Sequence, residues 1–568
     1  MSTEEHLSGV MTIGDKLTEQ ARVRPGTVAL IDDAAGRTLT FAQLDDEVAK
    51  AAAWWRARGL KRGEAVLVFV PMSAELYVAL LALFRIGAVA LFLDPSAGRE
   101  HLERCCARWA PEALMAIPKA HLLRLRSRAL RAIPLKVTTG GWLPGTVRWL
   151  ASDTTERVTT NDAQPEDAAL VTFTSGSTGV PKGAVRTQGF LLAQYRALAP
   201  SIALEPGEVD LATLPVFTLA NLAAGVTTVI PDVDLRKPGA VDAARVWTQI
   251  ERRGVTRITA SPAFFERLIA YANGCNGEES KGGRAGSLIG KSGNQETGRR
   301  RTLPGLTKLY TGGAPVFPRL LEALSALAPN AEVVAVYGST EAEPIAHAGA
   351  HEIGADDLAA MRGGRGLLAG VPVDEVKLRV VRDRWGVARS ALSAEEFEAE
   401  CLSAGETGEI VVTGDHVLPG YLGGIGDEET KFRVEGEVWH RTGDAGLLDE
   451  RGRLWLAGRC SARIEDARGA IYPFGVECVT MTFPTVRRAA MVALDGRRVL
   501  VVEAERDEQL TAELFAAVAW AQVDEVRFMA TLPVDKRHNA KIDYPELRRR
   551  LEQNPAPLRT LNEVQSSR

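Results

Sequence analysis

From Val28 to Leu93 the sequence alternates short apolar runs with longer helix-like ones, and this rhythm constrains the fold more than any other feature. Val28-Ala29-Leu30-Ile31 and Ala65-Val66-Leu67-Val68-Phe69-Val70 are continuous apolar runs, the pattern of strands covered on both faces. Between them the pattern predicts a helix from about Phe41 to Arg58, with Thr40 available as a cap and Gln43 three residues on. The apolar run Leu76 to Leu93 has about the minimum length for crossing a bilayer. It carries Arg85 near its middle and Gly87 just after, and Asp94-Pro95 ends it, so it reads as helix, turn and buried strand. The pattern predicts an α/β architecture with a largely parallel sheet and no transmembrane span.

At 568 residues the chain is long enough for several domains, and 46% hydrophobic with 25% charged residues supplies large cores. Lys and Arg number 68 against 72 Asp and Glu, a net charge of -4, which leaves no basic excess for a nucleic-acid partner. Six cysteines are too few for a disulfide framework, Cys105 and Cys106 are adjacent, and no CxxC spacing suggests structural zinc. A reducing, cytoplasmic setting is expected, since MSTEEHLSGVMT lacks the basic start and apolar core of a secretory signal. Asn273 to Arg301 is rich in Gly, Ser and charge and is expected to be a surface loop. Within it Gly286 to Ser292 imitates a P-loop, but Ala285 stands where a glycine is required and no buried strand precedes it. A composition shift near Gly458 introduces short strands (Ala489 to Leu494, Arg498 to Glu503) alternating with helices (Leu510 to Gln522, Pro545 to Leu551). The expected division is therefore a body over residues 1–457 and a small α+β domain over 458–568.

The strongest chemical signal is the apolar strand Leu170-Val171-Thr172-Phe173 feeding Thr174-Ser175-Gly176-Ser177-Thr178-Gly179-Val180-Pro181-Lys182-Gly183. Glycines let the backbone approach a ligand, hydroxyls and N–H groups donate to oxygens, and Lys182 adds a point charge: the parts of a polyphosphate cradle. A Gly/Ser surface linker rarely follows a buried strand directly or ends in Pro-Lys-Gly.

This segment resembles the phosphate loop of the AMP-forming adenylating enzymes, which include acyl-CoA synthetases, peptide-synthetase adenylation domains and luciferases. The resemblance extends along nearly the whole chain. Gly87-Ala88-Val89 with Asp94-Pro95, Thr311-Gly312-Gly313-Ala314-Pro315, Tyr337-Gly338-Ser339-Thr340-Glu341, Gly405 to Ile410, Arg441-Thr442-Gly443-Asp444 and Gly458-Arg459 follow in family order. It implies that Gly313, Ala314 and Pro315 meet adenine and acyl group, and that adenine stacks on Tyr337 beside Gly338 and Ser339. Thr340 and Glu341 would hold phosphates and Mg²⁺, for which hard oxygen ligands are suited. Asp444 would accept from the ribose hydroxyls, with Arg459 adding a cationic contact. In Pro533-Val534-Asp535-Lys536-Arg537-His538-Asn539-Ala540-Lys541, Lys541 matches the family lysine that enters the site on closure of the small domain. It would neutralise charge at the α-phosphate as pyrophosphate leaves.

Three positions depart from the family: Thr187-Gln188 where many members have Thr-His, Pro215-Val216-Phe217-Thr218-Leu219 without a histidine, and Ser461 where the hinge carries Asp or Lys. These weaken transfer of the CoA half-reaction. The forms Trp439 to Asp444, Leu454 to Arg459 and Arg537 to Lys541 are most similar to the olefin-pathway β-lactone synthetases, in which an adenylated β-hydroxy acid closes on its own hydroxyl. Glu343 places a charge beside the expected acyl site, which leaves the substrate class open. The expected function is an ATP- and Mg²⁺-dependent ligase converting a fatty or β-hydroxy acid to an acyl-adenylate, with lactone closure the favoured continuation. CoA, a carrier thiol or an amine are the other acceptors, and an inert nucleotide-binding module is the alternative of another class.

Overall fold

In the computed structural model, residues 12–94, 98–150, 155–175, 180–274, 300–534 and 542–553 are described. The expected surface loop therefore lies, over 275–299, outside the described residues, as do the P-loop imitation within it and the tail after Gln553. The chain divides into two compact units: Met1–Asp232 with Thr340–Glu343 and Gly414–Lys431, and Val233–Ser339 with Pro344–Thr413 and Phe432–Arg568.

In the first unit a seven-stranded sheet runs in the order Val147–Arg148, Leu135–Thr138, Ala113–Ala116, Ala65–Phe69, Val89–Phe92, Ala168–Ser175, Pro181–Thr187. All neighbours are parallel except the last pair, a hairpin. Val209–Ala212, Thr227–Ile230 and Val28–Asp32 form a second parallel run, edged by antiparallel Arg37–Thr40. The parallel sheet expected from the N-terminal rhythm is present.

The helix Phe41–Ala57 starts where its cap predicts: the Thr40 hydroxyl accepts from the Gln43 N–H, and the Gln43 side chain accepts from the Thr40 N–H. It buries Phe41, Leu44, Val48, Trp54 and Trp55. Trp54, Trp55 and Trp149 pack as a trio with ring centroids 5.1, 5.0 and 5.4 Å apart. The doubtful apolar segment resolves into the helix Ala74–Arg85 and the strand Val89–Phe92. Arg85 is buried, forms an ion pair with Asp45 and donates to the Val158 carbonyl at 3.3 Å. Among the described residues no helix is long and apolar enough to cross a membrane.

In the second unit Arg257–Ala260, Lys308–Gly312 and Glu332–Ser339 are parallel, so the Gly312-to-Pro315 and Tyr337-to-Ser339 segments lie at the C-terminal ends of neighbouring strands. A ligand crevice forms at such ends in open α/β sheets. The strands Leu367–Pro372, Leu454–Arg459, Glu437–Leu448, Gly408–Thr413 and Lys377–Val381 pair antiparallel in that order. Beyond Gly458 come a three-stranded sheet of Arg488–Leu494, Arg497–Glu503 and Glu525–Met529, and the helices Pro473–Thr480, Glu508–Ala517 and Tyr544–Gln553. The α+β segment expected there is present with the expected strands. The five described cysteines outside 275–299 are all free thiols.

Candidate active site

Two constellations gather the sequence-predicted residues, one in each unit. In the second unit the Tyr337 hydroxyl donates to Asp444 Oδ2 at 2.7 Å, and Arg459 Nη1 stands 3.2 Å from Asp444 Oδ1. Asp444 and Arg459 meet because they are register partners on paired antiparallel strands. The backbone before Asp444 is pinned: the Thr442 hydroxyl donates to the Ile410 carbonyl at 2.9 Å and accepts from the Asp444 N–H at 3.0 Å. Gly443 has φ +69°, and a Cβ there would lie 2.8 Å from the Trp385 ring, so conformation and space both require glycine. Burial first, and then the Asp444 charge, push the Tyr337 phenol well above its ordinary range. Tyr337 therefore acts as a neutral donor.

These residues face a cavity of about 400 Å³ that is also lined by Gly313, Ala314, Pro315, Gly338 and Ser339. Glu477, Ile542 and Tyr544 from the C-terminal segment line it as well. Tyr544 donates to Glu477 Oε1 at 2.5 Å, and the Met491 N–H donates to the same oxygen at 3.1 Å. Burial raises Glu477 to about 7 despite these two donors. The Val534–Ile542 bridge and the Asp543 N–H to Pro533 carbonyl bond, 3.0 Å, close the neck of the segment that contains Lys541. Lys541 itself lies outside the described residues.

In the first unit the expected strand before the phosphate loop, Ala168–Ser175, pairs antiparallel with a strand the sequence had not suggested, Pro181–Thr187, with Thr174 opposite Lys182. Gly176, Ser177, Thr178 and Gly179 lie outside the described residues, as do the side chains of Thr174 and Ser175. Lys182 is buried and donates to Glu429 at 2.6 Å. Gly426, at φ +101°, lets it pass: a Cβ there would lie 2.6 Å from Lys182 Cδ. Glu341 accepts from the Tyr421 hydroxyl at 2.6 Å. The Thr340 carbonyl accepts from Arg186 Nη2 at 2.9 Å, and Arg186 Nη1 donates to the Thr172 hydroxyl at 3.1 Å.

Tyr421, Glu429 and Lys431 were not singled out in the sequence. They belong to a Gly-rich acidic stretch that clamps the Thr340–Glu343 segment: the Leu418 N–H donates to the Glu341 carbonyl at 2.7 Å, and Ala342 bridges Val417. The Lys431 ammonium lies 5.8 Å from the Tyr421 ring centre and donates to the Leu418 carbonyl. Burial lowers it to about 8, against the opposing pull of Glu341 and Asp427. Arg186 was also missed; burial lowers its pKa while Glu341 and Glu343 oppose the fall. Only a Gly-Tyr pair before Asp427-Glu428-Glu429 could have marked the stretch in advance.

The motifs Gly405 to Ile410 and Arg441 to Asp444 prove to be two halves of one support. Arg441 Nε and Nη2 grip Glu409 in a two-point pair at 2.9 and 2.8 Å, both side chains fully buried. The Val387 carbonyl accepts from Arg441 Nη1 at 2.7 Å and the Arg384 carbonyl from Nη2 at 3.0 Å. This pair holds the strand Glu437–Leu448, which carries Asp444.

Tyr337, Asp444 and Arg459 thus meet on one cavity of the second unit, while Lys182 and Glu341 lie in the first. Fold and sequence together define an adenylate-forming ligase. The chain belongs to the AMP-binding enzyme family, which matches residues 17–422. It is 33% identical over 574 residues to the olefin β-lactone synthetase of Stenotrophomonas maltophilia (strain K279a), covering 94% of this chain and 97% of that one. The olefin β-lactone synthetase of Xanthomonas campestris pv. campestris is 31% identical, with 96% and 98% covered. In fold the chain is similar to the amide bond synthetase McbA from Marinactinospora thermotolerans, with TM-score 0.72, 23% identity and 94% and 99% covered. ATP and a small-molecule acid are its substrates.

Proposed function

We propose that this ligase adenylates a β-hydroxy acid and closes the adenylate to a β-lactone. The observation that carries the reading is full-length similarity above 30% to two proteins named as olefin β-lactone synthetases, supported by the Tyr337–Asp444–Arg459 cluster on one cavity. In the first step a carboxylate oxygen of the acid attacks the α-phosphate and pyrophosphate leaves. In the second, the acid's hydroxyl oxygen bonds to its own activated carbonyl carbon, the bond to AMP breaks and the hydroxyl proton is lost. Intramolecular attack raises the effective concentration of the nucleophile and needs no acceptor channel.

Adenine rests against Tyr337 and Gly313 to Pro315, the ribose against Asp444 and Arg459, and the phosphates against the loop Thr174 to Gly179 with Lys182. Thr340 and Glu341 are oxygen donors of the kind Mg²⁺ accepts, one of them anionic, and so fit an ion that shares its shell with phosphate oxygens. Mg²⁺, when bound, supplies charge neutralisation on the departing pyrophosphate. Residues 458–568 act as a lid that carries Lys541 to the α-phosphate, a gating role that often limits turnover. Lys541→Ala is expected to remove adenylate formation while ATP still binds.

The test is mass spectrometry of products from ATP, Mg²⁺ and a 3-hydroxy acid, with and without CoA. A product one water lighter than the acid, formed without CoA, supports lactone closure. A thioester formed only with CoA makes the protein an acyl-CoA synthetase instead. ATP binding with no AMP from any acid marks an inert module.

A further inference from the structure

Between Glu112 and Asp153 the chain has no acidic residue, although Asp and Glu outnumber Lys and Arg over the whole sequence. The same stretch holds seven Lys and Arg residues, of which Lys119, Arg126, Arg128 and Arg148 are exposed. Among the described residues no carboxylate lies within ion-pair distance of these side chains. Apolar groups stand beside them in water: Leu122 is 58% exposed, Leu125 75%, Trp142 73% and Val147 37%. The two source segments meet at one edge of the seven-stranded sheet. Val147–Arg148 is its edge strand and pairs with Leu135–Thr138, to which His121 is tied by donating from Nε2 to the Val137 carbonyl at 3.1 Å. Gly140 lies against Pro118 and Gly145 against Arg124, where an added Cβ would come within 3.8 and 3.7 Å of those side chains. Arg131 donates to the Arg124 and Leu125 carbonyls at 3.2 and 3.0 Å, which fixes the turn Leu122–Leu125. Glu103 touches the segment too, but it accepts from the Arg128 N–H at 2.7 Å and the Ser127 hydroxyl at 3.3 Å, with Arg99 3.5 Å away.

Apolar residues exposed singly are ordinary, but several gathered beside a cluster of cations mark a surface that meets something. Water solvates the arginines well and Leu125 and Trp142 poorly, so stability alone would favour polar residues at both positions. A second copy of the chain docking on this face would set arginine against arginine. A lipid surface with negative headgroups answers both features at once: the headgroups meet the cations, and the leucines and the indole enter the acyl boundary just beneath. Tryptophan suits that boundary because its ring is apolar and its N–H polar.

We propose that the face formed by the Leu122–Leu125 turn and residues 140–148 docks the protein peripherally on an anionic lipid bilayer. Leu122, Leu125 and Trp142 insert, while Lys119, Arg126, Arg128 and Arg148 rest on the headgroups. Docking of this kind needs no membrane-crossing helix, and it does not depend on which acid the enzyme activates.

The experiment sediments the full-length protein with sucrose-loaded vesicles of phosphatidylcholine alone or mixed two to one with phosphatidylglycerol, at low and at high salt. Wild type is expected to bind the mixed vesicles at least about tenfold more tightly than the neutral ones, an advantage that salt erodes. Arg126→Glu combined with Arg148→Glu removes that advantage. Leu125→Ser combined with Trp142→Ser lowers binding to the mixed vesicles at least about fivefold at either salt concentration. All four positions are exposed, so each variant should unfold thermally within about 2 °C of wild type, which shows that it is folded. Wild type that stays in the supernatant with both vesicles, or variants that sediment as wild type does, overturns the proposal. So does binding that the glutamate pair abolishes and the serine pair leaves intact, which marks a site for an acidic protein or another polyanion instead. Each of these failures leaves the adenylation reading untouched.

Discussion

The two constellations are built in opposite ways. In the second unit Tyr337, Asp444 and Arg459 bond directly to one another, so the site is nearly complete as a set of ligand-facing groups. In the first unit Lys182, Thr340 and Glu341 bond to intermediaries instead: Glu429, Arg186 and Tyr421. The difference follows from the ligand each would meet. A nucleoside is neutral, and groups that pair among themselves can still offer it a ring face and a shared oxygen. A polyphosphate with its cation is highly charged, and in the first unit Lys182 and Glu341 are each held by a partner from the Gly414–Lys431 stretch, Glu429 and Tyr421.

The largest expected effect tests the charged side. Glu341→Gln keeps an acceptor for Tyr421 and removes the charge, and should slow Mg²⁺-dependent pyrophosphate exchange at least about a hundredfold. A variant within threefold of wild type would take Glu341 out of the chemistry. The next test moves to stability in the second unit. Glu477 titrates at about 7 in the folded protein against an ordinary 4.5. Between those values the folded protein keeps a proton the unfolded chain has released, so stability falls as pH rises, by up to about 3 kcal/mol. Urea unfolding from pH 4.5 to 8 should show a shallower fall for Glu477→Gln, and an unchanged slope would contradict the assignment.

Asp444→Ala should come third. It strips Tyr337 and Arg459 of their shared acceptor and is expected to raise the KM for ATP about tenfold, with kcat changing less. Equal losses in kcat and kcat/KM would mean that Asp444 works on the transition state, and the contrast between the two sites would weaken. Tyr421→Phe is the smallest, about 1 kcal/mol of stability in a denaturant titration and a few-fold loss of rate. A rate loss as large as that of Glu341→Gln would promote Tyr421 from support to chemistry.

The same contrast explains what the sequence showed. Tyr337 and Arg459 sit near strand ends and Asp444 opposite Arg459 on the paired strand, each inside a motif a few residues long. The helix Phe41–Ala57 was legible to its first residue because Thr40 and Gln43 form a local cap. Tyr421 meets Glu341 across 80 residues of chain and Glu429 meets Lys182 across 247. Such contacts depend on tertiary folding, and a tyrosine in a Gly-rich stretch carries no local sign of them. The antiparallel strands from Lys377 to Arg459 escaped for a related reason: their motifs read as chemistry, whereas Glu409 and Arg441 prove to be a buried brace.

The tryptophan trio of the first unit has an optical consequence. Three indoles with centres 5.0 to 5.4 Å apart couple their electronic transitions, which should give the near-ultraviolet circular dichroism a strong signal tied to that packing. Trp54, Trp55 and Trp149 all belong to the first unit, so the part of the signal lost in Trp149→Phe reports that core. Followed beside the far-ultraviolet band, it tells whether the two units melt as one cooperative block or in turn, with no added label.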